Sequence, residues 1–302
     1  MENTPVNINN EDINEIVNQL FRENIANESG NPEDVESIEE KSEEPKVQTV
    51  SLRKFTDTND FASRFSGAEW FDSMKHISVV LAGCGGIGSW ASILLSRLNI
   101  YALYIIDPDI VEEANMAGQF FTIYDIGKNK VETLSDNVRK LSPNTIIISR
   151  KERISEHNIL SAYKYYNTSI FVCGFDNMKA RKNMFRYFTS IVNESAEPQK
   201  FLFIDGRLTA DTFQIYCVRG DDCVGKEKYI NSGLNFTDIE ADQLPCSFKQ
   251  TTYLAAMIGS FITNYVVNFV GSFGEGAKSI FYNVPFFTEY NAVLNLLKTS
   301  ND

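Results

Sequence analysis

The sequence predicts an α/β fold: a mostly parallel sheet with helices on both faces and an antiparallel C-terminal extension. Three observations carry this. Apolar runs of strand length, "ISVVLAG", "ALYIID", "TIIIS" and "SIFVCG", alternate with stretches of helical spacing; strands apolar along their whole length belong to a parallel sheet buried on both sides. The first run leads into Gly83-x-Gly85-Gly86-x-Gly88 within "VVLAGCGGIGSW", residues 79–90, a strand–turn–helix signature of phosphate binding. After residue 193 the style changes to runs that read as paired strands, "KFLFIDGRL" and "DTFQIYCVRG". Together these describe a Rossmann-like layout.

In chain order, residues 1–50 read as an acidic flexible tail. They hold thirteen Asp/Glu against three Lys/Arg, so most of the net charge of −12 lies there and only −2 remains for residues 51–302. Residues 27–51 carry too little apolar surface to offset the entropy of ordering. Upstream, near residues 11–24, Ile13, Ile16, Val17, Leu20 and Phe21 recur at helical spacing, as in a short amphipathic helix on a tether. From residue 51 onward no linker interrupts the pattern, so 51–302 reads as one domain. Its expected helices cover residues 87–98, 126–140, 155–166 and 177–193. Residues 220–245 read as a long loop, 247–270 as a buried helix and "SIFYNVPFF" as a last strand. Asn264 and Asn268 inside the apolar stretch argue for a core helix rather than a membrane span.

Composition narrows the function. With 43% hydrophobic residues the chain can bury a large core, and its acidic balance argues against a general nucleic-acid binder. Five cysteines with no C-x-x-C pair and no signal-like N-terminus suggest a reducing, cytoplasmic setting and no cysteine zinc site. No membrane role is implied. His76 and His157 lie away from every motif, which disfavours a Ser–His or Cys–His hydrolase.

Each glycine of the loop has a mechanical reason: one makes the tight turn, one lets backbone N–H groups reach a phosphate, and one permits close helix–strand packing. Asp107 ends the next strand about 20 residues on, where a carboxylate holds ribose hydroxyls. These features serve an NAD-dependent oxidoreductase and an adenylate-forming enzyme alike.

The segment after Asp107 separates the two. "DPDIVEEANMAGQFFTIYDIGKNK" supplies Asp107, Asp109, Val111, Asn115, Gln119 and a "DIGKNK" turn ending at Lys130; "GFDN" follows later with Asp176 and Asn177. This resembles the ThiF and MoeB type of adenylyltransferase of the ubiquitin-activating-enzyme-like superfamily, over about residues 60–290. The resemblance implies that ATP and Mg²⁺ are used. It assigns the ribose to Asp107, the phosphates to Asn115, Gln119 and Lys130, and Mg²⁺ to Asp176. Read by themselves, Lys130 is also a solvated lysine and Asp176 the cap of a helix beginning at Met178. The activated group would be the C-terminal carboxylate of a small ubiquitin-like or sulfur-carrier protein, or of a peptide.

One departure stands out: the family arginine before the glutamine is Gly118 here, with Lys128 and Arg207 as candidate substitutes. That favours, as a rival, a catalytically weak, E1-like binding scaffold. Arg64 in "SRFSGAEWF" matches an arginine that family members extend into the partner subunit's ATP site, which would require a homodimer; the plainer reading is a surface arginine beside buried Phe65, Trp70 and Phe71. Cys246 in "LPCSFKQTTY" falls after the long loop at the start of the buried helix, where a thiol is activated, and is the candidate thioester nucleophile ahead of Cys223.

Overall fold

The computed structural model describes residues 63–142, 144–154, 168–234, 250–273 and 283–301. The strands are β1 (Ile77–Ala82), β2 (Ala102–Ile106), β3 (Ile146–Arg150), β4 (Thr168–Cys173), β5 (Phe201–Leu208), β6 (Thr212–Arg219), β7 (Phe287–Asn291) and β8 (Leu296–Ser300). The helices are α1 (Phe71–Met74), α2 (Gly86–Arg97), α3 (Lys130–Leu141), α4 (Met178–Glu194), α5 (Cys223–Gly233) and α6 (Thr252–Gly271). All the strands join one sheet, in the order β3-β2-β1-β4-β5-β6-β7-β8. The first five are parallel; β6, β7 and β8 add on antiparallel. The expected α/β class and its antiparallel extension are therefore present.

β1 is buried at every position because helices cover both of its faces. Val79, Leu81, Ile105 and Ile204 pack with Leu95 of α2, Leu134 of α3 and Ile258 and Ile262 of α6. Val80, Ala82, Phe171 and Phe203 pack on the other side with Phe185 and Phe188 of α4 and Tyr229 and Ile230 of α5. α6 has the length and hydropathy of a membrane span, yet it lies against α2 and the sheet as a core helix.

Three expectations are corrected. The loop expected over 220–245 contains α5, whose N-cap Asp222 accepts from the Gly225 N–H at 2.8 Å. The last strand starts only at Phe287, beyond most of "SIFYNVPFF", and a further strand, β8, follows it; residues 279–282 of that stretch lie outside the described residues. The helix expected from 126 begins at Lys130, after a short 3-10 turn at Ile123–Asp125. The tail with its 11–24 helix, the helix near 155–166 and Cys246 all lie outside the described residues.

Candidate nucleotide site

The strand order reverses at β1 and β4, and the glycine loop emerges there, at the carboxyl ends of the parallel strands. Gly83 has φ +92°, and an added Cβ would press within 2.8 Å of the Gly174 backbone. At Gly88 a Cβ would collide with the Gly83 carbonyl oxygen, so helix α2 can start this close to β1 only without a side chain there. The loop is tied down as well: the Gly83 N–H donates to Ile106 O at 2.9 Å and the Gly174 N–H to Ala82 O at 2.8 Å.

Asp107, 6% exposed, braces the loop from β2. Its Oδ2 accepts from the Cys84 N–H at 2.6 Å and its Oδ1 from the Asp109 N–H at 2.8 Å. Burial pushes its carboxyl above the ordinary 3.8, although those two N–H groups and nearby Lys130 pull it back down. Burial likewise pushes the Cys84 thiol well up, so Cys84 is an inert part of the wall.

Lys130 is not a surface lysine. It is 7% exposed, with Nζ 3.4 Å from Asp109 Oδ2. The local chain explains its delivery. Gly127 at φ +83° turns the backbone, and residues 127–130 then lie antiparallel to the segment after Asp107, with Val111 N–H to Lys128 O at 2.8 Å and Lys130 N–H to Asp109 O at 3.0 Å.

Gln119 is held by its neighbours. Trp90 Nε1 donates to Gly118 O at 3.1 Å, the Phe120 N–H donates to Ser89 Oγ at 2.9 Å, and Thr252 Oγ1 donates to Ala117 O. This strapping sets the Gln119 amide beside Gly85, where its Oε1 is buried without a hydrogen-bond partner. That oxygen is free to accept a hydrogen bond from a group bound at the loop. Asn115 spends its Oδ1 on the Glu112 N–H at 2.9 Å, closing the 3-10 turn Glu113–Ala117.

Other expected site residues are placed differently. Asp176 is exposed at the end of β4 and is not the helix cap: Asn177 caps α4, accepting from the Ala180 N–H at 2.8 Å. Neither candidate substitute for the missing arginine is brought to the loop as a free cation. Lys128 is exposed and pairs with Asp125 at 3.4 Å. Arg207 is committed to Asp205 at 2.8 Å and stacks over Tyr216. Arg64 is exposed in the turn before α1, next to the cluster of Phe65, Trp70 and Phe71. Cys223 opens α5 and is half-buried.

Sequence reasoning missed a buried network beneath the β4–α4 turn. Asp205, fully buried, accepts from Arg181, from Arg207 and from Tyr229 OH at 2.9 Å. Arg181 also donates to Phe175 O and, at 3.1 Å, to Gly206 O. It thereby fixes the turn that carries Asp176. The polar Asp205 and Arg207 inside the otherwise apolar "KFLFIDGRL" are the signal that marks it.

A glycine loop and a buried acid at the sheet's switch point define a doubly wound α/β protein with its ligand crevice outside β1 and β4. Within that class the chain belongs to the ThiF family, whose model matches residues 59–293. It is similar to ubiquitin-like modifier-activating enzyme 5 of Dictyostelium discoideum, 30% identical over 125 residues, which are 40% of this chain and 30% of that protein. It is also similar to the probable adenylyltransferase/sulfurtransferase MoeZ of Mycobacterium tuberculosis, 24% identical over 116 residues, 38% of this chain and 29% of that one. The matched segment spans about a third of these curated relatives. Among solved structures, the fold is similar to that of E. coli MccB with ATP, at TM-score 0.56 and 19% identity over 77% of this chain and 66% of that one. MccB is also known with AMPCPP and MccA, at TM-score 0.56 and 20% identity over 81% and 72% of the two chains.

Proposed function

We propose that this chain is an ATP-dependent adenylyltransferase. The carboxylate at the C-terminus of a small ubiquitin-like or sulfur-carrier protein, or of a peptide, attacks the α-phosphate of ATP, giving an acyl-AMP and pyrophosphate. The observation that carries this reading is the burial of Lys130 beside Asp107 and Asp109 at the glycine loop, since a desolvated lysine facing a phosphate cradle suits the charge of a triphosphate. The residues fit the nucleotide. Gly85 leaves room beside the loop, since an added Cβ there would meet only Gln119 Nε2 at 3.9 Å, and Gln119 offers an unsatisfied amide whose half-turn presents either its oxygen or its NH₂.

In this scheme loop N–H groups and Lys130 bind the phosphates, Asn115 and Gln119 orient them, and Asp107 holds the ribose. Asp176 would hold Mg²⁺. Its exposed carboxylate just after β4 suits an ion bound by one or two carboxylates and the substrate's phosphates; such an ion would supply charge neutralisation for the pyrophosphate. In a later step the Cys246 thiolate would attack the acyl carbon of the acyl-AMP, forming a thioester as the acyl–phosphate bond breaks and AMP leaves. The proposed setting is cytoplasmic and the assembly a homodimer.

A weak, E1-like scaffold is the second reading, favoured by Gly118 and by the engagement of Lys128 and Arg207 elsewhere. ATP–pyrophosphate exchange by the full chain, with a small carrier protein ending in Gly-Gly and with free peptide C-termini, tests the proposal. Carboxylate-dependent exchange supports the enzyme; ATP binding with no exchange for any carboxylate leaves the scaffold.

A further inference from the structure

Gln250 enters the glycine-loop region from outside every motif. It stands two residues before α6 and is half-buried. Its neighbours are anchored: Thr251 Oγ1 donates to Ala210 O at 3.1 Å and Thr252 Oγ1 to Ala117 O. Two glycines from separate elements border its side chain. A Cβ at Gly86, the first residue of α2, would overlap Gln250 Oε1, and a Cβ at Gly118 would lie 2.7 Å from Gln250 Cδ and 2.9 Å from Nε2. The amide thus threads a gap open only because both positions lack side chains. Among the described residues it has no hydrogen-bond partner. The amide stands at the N-terminal end of a 12-residue helix, with Oε1 toward Gly86 and Nε2 toward Gly118; a half-turn of the amide presents its NH₂ to an anion there.

We propose that Gln250 is a nucleotide-contacting residue, whose amide hydrogen-bonds the phosphates of ATP across the gap between Gly86 and Gly118. The assignment rests on the ATP reading above. It makes Gly118 part of a built site rather than a bare loss: the space beside it already holds a neutral donor.

Calorimetric titration of the full chain with ATP–Mg²⁺ and with adenosine tests this, using wild type, Gln250→Glu, Gln250→Ala and Gly118→Ala. Gln250→Glu keeps the shape but faces the phosphates with a negative charge, and is expected to weaken ATP binding about tenfold or more while adenosine binding stays within about twofold. Gly118→Ala displaces the amide and weakens ATP binding less; in the Gln250→Ala background it adds nothing further. Unchanged ATP affinity in Gln250→Glu overturns the proposal and leaves the nucleotide reading standing. Equal losses for ATP and adenosine assign Gln250 to packing and overturn it too. A wild type that binds no ATP removes the nucleotide reading, and the Gln250 contact with it.

Discussion

Asp107 shows what a single residue contributes and what that entails. Burial raises its carboxyl above 3.8, so its folded value exceeds its unfolded one. The contribution of this group to stability is therefore greatest at low pH and is lost as pH rises through the folded value. An ionised Asp107 opposes stability, as expected of a group placed for ligand binding. Protonation would set an O–H donor against the N–H of Cys84 or Asp109 in place of an acceptor and so loosen the loop. ATP affinity is thus predicted to fall on acidification with a midpoint above 3.8, read by calorimetry across pH, and Asp107→Asn should lack that transition. At Gly118 the occupied space fixes a sign. Gly118→Arg should weaken ATP binding, because the new side chain meets the Gln250 side chain within 3 Å of the first added carbon. Stronger binding would show that the guanidinium finds room despite Gln250. Asp107, Asn115, Gln119 and Lys130 could be singled out because the family pattern they resemble lies on one short segment, residues 107–130. Gln250 was not, since it is brought to the loop only by the packing of α6 on α2.

At the scale of elements, the legible part of the fold is its periodic part. β1 and β2 announce themselves as unbroken apolar runs because both their faces are buried, and β4 and β5 do so over residues 170–173 and 201–204. α5 hid because its inward positions include Gly225 and Gly233, so its apolar stripe is thin. β7 and β8 hid because β8 is a mostly exposed edge strand, held by a cross-strand pair between Glu289 and Lys298 at 3.6 Å. Neither displays the hydrophobic contrast that pattern reading needs. The Asp205 network is the element-scale device most open to test. Asp205→Asn leaves buried Arg181 and partly buried Arg207 with no carboxylate between them, and should destabilise the fold by about 3–5 kcal/mol, measured by urea denaturation. A loss below about 1 kcal/mol would mean that both guanidinium groups find other partners. The β4–α4 turn should loosen too, because Arg181 joins Asp205 to Phe175 O.

For the molecule as a whole, the sheet joins the glycine loop to its antiparallel extension, while Arg64 stands exposed outside it. If Arg64 acts on the site of a second copy, mixing Arg64→Ala with Lys130→Ala protomers should recover part of the exchange activity, since each mixed dimer holds one site with both cations. No recovery in verified mixed dimers would make Arg64 a surface residue. The proposed function takes a triphosphate rather than a dinucleotide as ligand, and one titration decides between them directly. Calorimetry of the full chain with ATP–Mg²⁺ and, separately, with NAD should show saturable binding of ATP, at least about tenfold weaker in Lys130→Met, and no comparable binding of NAD. Tight NAD binding that is indifferent to Lys130, with ATP bound weakly or not at all, would contradict the adenylyltransferase account.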